Sequence, residues 1–326
     1  MKKSGGSHFG FAVILLVAFS AACNSADPTT GATEAAKDSS YIPEGYKKVF
    51  SDEFDGASLS LDNWWTRYIY KDGTLDTLND ERQLFRENNN HVMTGTTLQL
   101  TARKVPTENK RFQYESGMIR SKMTFKYGYY EARLKMPGGL GVWPAFWLNS
   151  DSDENGKTSW PPEIDIIEFV NNGKDDRPDM MHMTAQVKPK KGEPNPWGGQ
   201  ELFRDPDFKK RNYHAPFKFP DDFHVFGLLW DTDDTVTWFV DGKKLFTVSY
   251  KWVYANGKDA PNAHVLLNLS IGGQWAGRYG IDDTAFPQAL DVDYVRVYQK
   301  PDQVKTGKST IGKDLLGKKD SDVITK

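Results

Sequence analysis

The chain has 326 residues, 38% of them hydrophobic and 13% aromatic, enough for one sizeable core. A net charge of −2, without a basic stripe or a phosphate-cradling glycine loop, argues against nucleic acid as a partner. Cys23 is the only cysteine, which excludes an intramolecular disulfide.

In chain order, Lys2 and Lys3 precede a short apolar run from Phe9 to Phe19, followed by Ser20-Ala-Ala-Cys23. The run falls short of the roughly 20 apolar residues that span a bilayer, so residues 1–22 read as a signal peptide. Residues 23–40 have almost nothing to bury and read as a flexible tether. The folded region begins at Tyr41. Phe50-Ser-Asp-Glu-Phe-Asp-Gly56 suits an opening strand and turn, and Thr97–Ala102 alternates cleanly. Gly128–Met136 places Tyr129, Glu131, Arg133 and Lys135 on one face, with Tyr130, Ala132, Leu134 and Met136 on the other. Further strands are predicted at His224–Trp230, Val265–Ile271 and Asp291–Tyr298. Thr235–Val240, Asp241-Gly242 and Lys243–Ser249 form a strong hairpin signal. No stretch carries an apolar stripe at helical period, so the pattern predicts an all-β sandwich or jelly roll. The long, loop-rich 171–222 segment suits the wall of a binding site. Residues 301–326 read as a disordered tail.

One stretch breaks the strand rule. In Glu163-Ile-Asp-Ile-Ile-Glu168, Glu163 and Asp165 share a face at period 2, whereas Glu168 is out of phase. A β-bulge at Ile166–Ile167 would return it to their face. Two carboxyl groups, one protonated and one ionised, are what cleavage of a glycosidic bond requires, and in a retaining enzyme they lie about 5–5.5 Å apart. Three acids on one face cannot all ionise cheaply, so at least one pKa should rise, and Asp165 is placed to hold a proton. An edge strand with its acids in solvent is the alternative. Trp143 and Trp147, four apart in Trp143-Pro-Ala-Phe-Trp147, face one way and suit stacking on sugar rings, unless both belong to the core. His182, Trp275, Arg67, Glu115 and Asn149 are further polar or aromatic candidates for a cleft.

These residues resemble glycoside hydrolase family 16, the laminarinase, agarase and κ-carrageenase group. Besides the Glu-Ile-Asp-Ile-Ile-Glu signature, Phe50–Gly56, Ser116–Lys122, Gly128–Pro137, Trp143–Leu148, Asn268–Gly273 and Asp293–Tyr298 follow in the family's order. The resemblance implies a concanavalin A-like β-sandwich (jelly roll) with a concave substrate cleft over residues 41–300. It implies Glu163 as nucleophile, Asp165 as its assistant and Glu168 as acid/base. Trp143 and Trp147 fall where the family places aromatic residues at the cleft; with His182 and Trp275, read from the residues themselves, they are the expected substrate contacts. No catalytic cofactor is implied, but a structural calcium is, with Glu53 and Asp293 at the matching positions. The expected partner is a polysaccharide, either a β-1,3-type glucan or an algal galactan, and a monomer is expected. Laminarinases usually carry Gly before the first Glu and Met in the bulge. Here those places are Pro162 and Ile167, and aliphatic bulge residues also suit agarases and carrageenases. Lichenase-type members lack the bulge residue, which sets that branch aside. Arg120, Lys122, Lys188, Lys190 and Lys191 could meet sulfates or simply be solvated. A transglycosylase and a lectin-like module remain alternatives. Ala-Ala-Cys23 resembles a bacterial lipobox, although Ser20 stands where Leu is usual. It implies an exported lipoprotein attached to a membrane only through its lipid, with plain secretion as the alternative.

Overall fold

Two antiparallel sheets pack face to face. A computed structural model of the chain describes residues 41–70, 73–87, 89–152, 161–186 and 212–309. The expected signal peptide (1–22), Cys23 and the expected tether, Lys188, Lys190 and Lys191, and residues 310–326 lie outside the described residues.

The eight-stranded sheet runs in the order Asn212–His214, Met180–Gln186, Glu163–Glu168, Val142–Ser150, Ala263–Ile271, Met118–Phe125 and Trp64–Trp65, with Thr306–Lys308 also on Met118–Phe125. The ten-stranded sheet is centred on Gly128–Lys135 and Gln288–Gln299 and includes His224–Trp230 and the 235–249 hairpin. The hairpin turns where expected, on Asp241 (φ +49°) and Gly242 (φ +73°).

Alternation along the strands decides what the sandwich buries. Phe146 and Leu148, Ile164, Met181 and Met183, and Val265, Leu267 and Leu269 point inward from one sheet. Tyr130, Ala132, Leu134, Phe226, Leu228 and Trp230 meet them from the other. At about 25 cal/mol per Å² of apolar surface, this single core is the main stabilising term. Among the described residues the one α-helix is the turn Gly273–Ala276.

Both faces of Gly128–Lys135 are covered: Tyr129 and Glu131 are fully buried, with Phe239 and Tyr298 packed against Tyr129. The first residues of the expected tail, 301–309, are structured. Pro301–Gln303 form a 3-10 turn, Thr306–Lys308 pair with Phe125–Met123, and Ser309 Oγ donates to Asp151 at 2.5 Å. A short polar segment that pairs through backbone alone leaves no hydrophobic signature in a sequence.

Candidate active site

The Glu163–Glu168 strand carries the expected bulge. Opposite Asn149, Trp147 and Ala145, all on one face of the neighbouring strand, stand Glu163, Asp165 and Glu168. Steps of two and three residues on one strand thus match two steps of two on the other. On the far side, Glu163, Asp165 and Glu168 face Gln186, Thr184 and His182. Ile164, Ile166 and Ile167 all enter the core, which fixes the acids on the opposite face. A bulge leaves ladder groups unpaired. Here the Asp165 carbonyl accepts from the indole Nε1 of Trp238, which reaches across from the other sheet at 2.9 Å. The bulge takes up one of the five residue steps from Glu163 to Glu168, so the two stand four steps of about 3.3 Å apart along the neighbouring strand.

Burial pushes Asp165 up to about 7, against the opposing effect of Gln186 Nε2, which donates to its carboxylate at 3.2 Å. Burial also raises Glu168 well above the usual carboxylate range, with the negative charges of Asp165 and Asp176 adding to it. Trp143 Nε1 donates to Glu168 Oε1 at 3.1 Å and opposes that rise. Such an array holds protons near neutral pH without metal or cofactor.

Trp143, His182 and Trp275 join one wall beside Glu168. Trp275 lies edge-on to Trp143 and to His182, with ring centroids 5.0 and 4.7 Å away. It is placed there by Gly272 and Gly273, at φ +78° and +72°; a Cβ on Gly273 would lie 2.6 Å from Asp80 Oδ1. Trp147 has a different surrounding. It is nearly buried, donates to Asn268 Oδ1 at 2.8 Å and packs against Tyr68, forming floor rather than an open platform.

The weaker candidates divide. Asn149 stands opposite Glu163. Arg67 is buried against Asp76, its Nε 3.0 Å from Oδ1. Arg120 is buried, donating to the Ile69 carbonyl at 3.2 Å, and burial lowers its pKa to about 9. Lys122 reaches the Leu61 carbonyl. Glu115 lies in the other sheet, paired with Leu84 and Arg103. Asp176, Gln186 and Tyr250 were not singled out in the sequence, and Asn268 only as part of the Asn268–Gly273 stretch. The Tyr250 hydroxyl donates to the Gln186 carbonyl at 2.8 Å and accepts from the Glu163 amide at 3.3 Å, clamping the two strands.

Glu53 and Asp293 do not fit a cation site. Arg296 grips Glu53 with two hydrogen bonds of 3.0 and 2.7 Å, and Arg133 Nη1 lies 2.8 Å from Asp293. Burial acts to raise Glu53, but Arg296 and Lys48 outweigh it and hold the carboxyl below its usual value. Among the described residues no group of three or more His, Cys, Asp or Glu is placed to hold a metal ion. Hard cations need several free oxygens, and these oxygens already serve arginines.

Comparison with known proteins places this geometry. The family model described as "Beta-porphyranase A-D, GH16 domain" matches residues 46–300. The "Beta-glucanase" of Rhodothermus marinus is 32% identical over 266 residues, covering 78% of this chain and 85% of that protein. The "Kappa-carrageenase" of Pseudoalteromonas carrageenovora is 29% identical, covering 77% of this chain and 63% of that protein. Of "Glucan endo-1,3-beta-glucosidase A1" from Niallia circulans, the chain covers 38%. The crystallised laminarinase from Rhodothermus marinus superposes with a TM-score of 0.60 at 28% identity, covering 78% of this chain and 97% of that one. The family match spans residues 46–300, which hold both sheets and the bulged strand: the chain belongs to glycoside hydrolase family 16 and is an endo-acting hydrolase of β-glycans.

Proposed function

We propose that the protein cleaves a porphyran-type galactan with retention of anomeric configuration, through Glu163, Asp165 and Glu168. The observation that carries the chemistry is the bulge, which sets three acids of unequal burial on one face. In the first step a Glu163 carboxylate oxygen bonds to the anomeric carbon. The glycosidic C–O bond breaks, and the proton of Glu168 passes to the leaving oxygen. In the second step water attacks the anomeric carbon, gives its proton to Glu168 and displaces Glu163. Asp165, holding a proton near neutrality, hydrogen-bonds the nucleophile between steps. Trp143, His182 and Trp275 form the wall against which the sugar lies, with Trp147 beneath it.

The substrate reading is supported by the porphyranase description of the family model and by an aliphatic residue, Ile167, in the bulge. A β-1,3-glucan is the second reading, favoured by glucanases among the relatives. A panel of porphyran, agarose, carrageenans, laminarin and mixed-linkage glucan, read by reducing-end release, separates them. Fastest release from laminarin would overturn the galactan assignment. Retention of one of these polysaccharides by folded protein without cleavage would instead indicate a lectin-like module. Mass spectrometry of the products distinguishes hydrolysis from transglycosylation. Glu163→Ser and Glu168→Gln should each lower kcat by about 10²-fold or more, and near-native turnover in either would refute its role. We place the enzyme outside the cytoplasm as a monomeric lipoprotein held by Cys23, on the strength of the leader and the tether.

A further inference from the structure

His182 and Trp275, two members of the wall beside Glu168, both donate to one buried carboxylate. Asp176 lies in the turn between the acid strand and Met180–Gln186, and only 5% of it is exposed. Its Oδ1 accepts from His182 Nε2 at 2.6 Å. Its Oδ2 accepts from Trp275 Nε1 at 2.9 Å and from Asn172 Nδ2 at 2.7 Å. Asn172 Oδ1 in turn accepts the amides of Lys174, Asp175 and Asp176 at 3.1, 3.0 and 3.0 Å, which fastens the turn. Burying a carboxylate is costly unless donors satisfy it; here three side chains from three segments do so.

Two of those donors touch the surroundings of Glu168. His182 stands directly opposite Glu168 in the strand register. Trp275 packs edge-on against both His182 and Trp143, and Trp143 donates to Glu168. Trp275 comes from the helical turn Gly273–Ala276, 99 residues from Asp176 in sequence. Packing alone would leave an indole and an imidazole free to rotate about their χ angles, and a charged acceptor shared between them removes that freedom. Glu168 is faced by Asp165 from its own strand, Trp143 from one neighbour, His182 from the other, and the charge of Asp176 from the turn.

Resting on the acid/base reading of Glu168, we propose that Asp176 is a positioning residue for the acid step. It orients His182 and Trp275, and through them Trp143, so that the carboxyl of Glu168 lies in line with the leaving oxygen. A role confined to the acid step depends on the leaving group. A poor leaving group, a sugar hydroxyl, needs protonation, whereas a dinitrophenolate departs without it.

The test compares Asp176→Asn with the native enzyme on porphyran and on the 2,4-dinitrophenyl glycoside of the disaccharide that native enzyme releases from it. The expected result is a fall in kcat/KM, which reports the first step, of about 10- to 100-fold on the polysaccharide, as for a misplaced catalytic group, and under about threefold on the aryl glycoside. Equal losses on both, or no loss on either, would overturn the proposal. Trp275→Phe removes one donor to Asp176 while leaving the turn intact. It should show a smaller loss with the same selectivity, and it decides the matter by the same criteria if Asp176→Asn does not fold. Glu168→Gln is the control. Its kcat/KM, which reports the first step alone, should fall on porphyran and hold on the aryl glycoside, while kcat falls on both because Glu168 is also the base of the second step; a kcat/KM that fell alike on both substrates would make the acid assignment itself fail, whatever Asp176 does.

Discussion

Replacing Asp165 by asparagine should stabilise the protein, increasingly so as pH rises from about 4 to about 7. The side chain keeps its size and can still accept from Gln186 Nε2; what it loses is the capacity to ionise. Burial pushes the Asp165 carboxyl from 3.8 up to about 7. At about 1.4 kcal/mol per pKa unit, a charged Asp165 costs the folded state up to about 4 kcal/mol. The sign follows from proton counting. The folded pKa lies above the unfolded one, so between them the native state holds a proton that the unfolded chain has lost. Native stability therefore falls as pH rises through this window, and the asparagine variant escapes that loss. Below about pH 4 aspartate is protonated in both states, and the two proteins should unfold alike. Above pH 7 the variant should melt roughly 10 °C higher, at about 2–4 °C per kcal/mol for a domain of this size. Thermal unfolding of both proteins from pH 4 to 8 gives the difference curve, in which groups other than Asp165 and its neighbour Glu168 cancel. A difference independent of pH, or one that grows toward acid, would refute the reasoning.

The same variant should keep residual activity whose alkaline limb in kcat/KM lies at lower pH, because the charge of Asp165 helps hold the proton on Glu168; an unmoved limb counts against that coupling. Trp143→Phe should move the limb the other way, since the indole N–H stabilises ionised Glu168; a pH–rate profile reads both. Chelation with EDTA should leave the melting temperature unchanged, because arginines occupy Glu53 and Asp293. Arg296→Gln should cost about 3 kcal/mol by leaving buried Glu131, 3.8 Å away, short of a countercharge; an EDTA-sensitive melt would restore the calcium. Cys23→Ala should shift the protein from the membrane to the soluble fraction, and unchanged partitioning would exclude the anchor.

The residues that sequence reasoning found and missed differ in a physical way. The bulge was legible because a break in period 2 is local: Ile166 and Ile167 both had to enter the core, and that displaced Glu168 by one position. The Asp241-Gly242 hairpin was legible for the same reason, since the turn type demands positive φ from those two residues. The structure gives Glu53 a partner the sequence did not suggest, Arg296, 243 residues away. Nothing near Glu53 announces a guanidinium, and an acid awaiting calcium looks the same in sequence as an acid awaiting arginine. Trp147 looked like a sugar platform because it shares a face with Trp143, but Tyr68 and Asn268 cover it from other strands.

By itself, then, the sequence determined the two-sheet sandwich, the face on which the three acids stand, and the chemistry they can perform. These follow from alternation and turn chemistry, which act between neighbours along the chain. Tertiary structure alone decided which acid keeps a proton, what holds Glu168 in place, and whether Glu53 meets a metal or an arginine. Those outcomes depend on burial and on partners brought from distant strands, such as Trp238 on the Asp165 carbonyl and Asp176 between His182 and Trp275. Desolvation and hydrogen-bond geometry exist only once the sheets have packed.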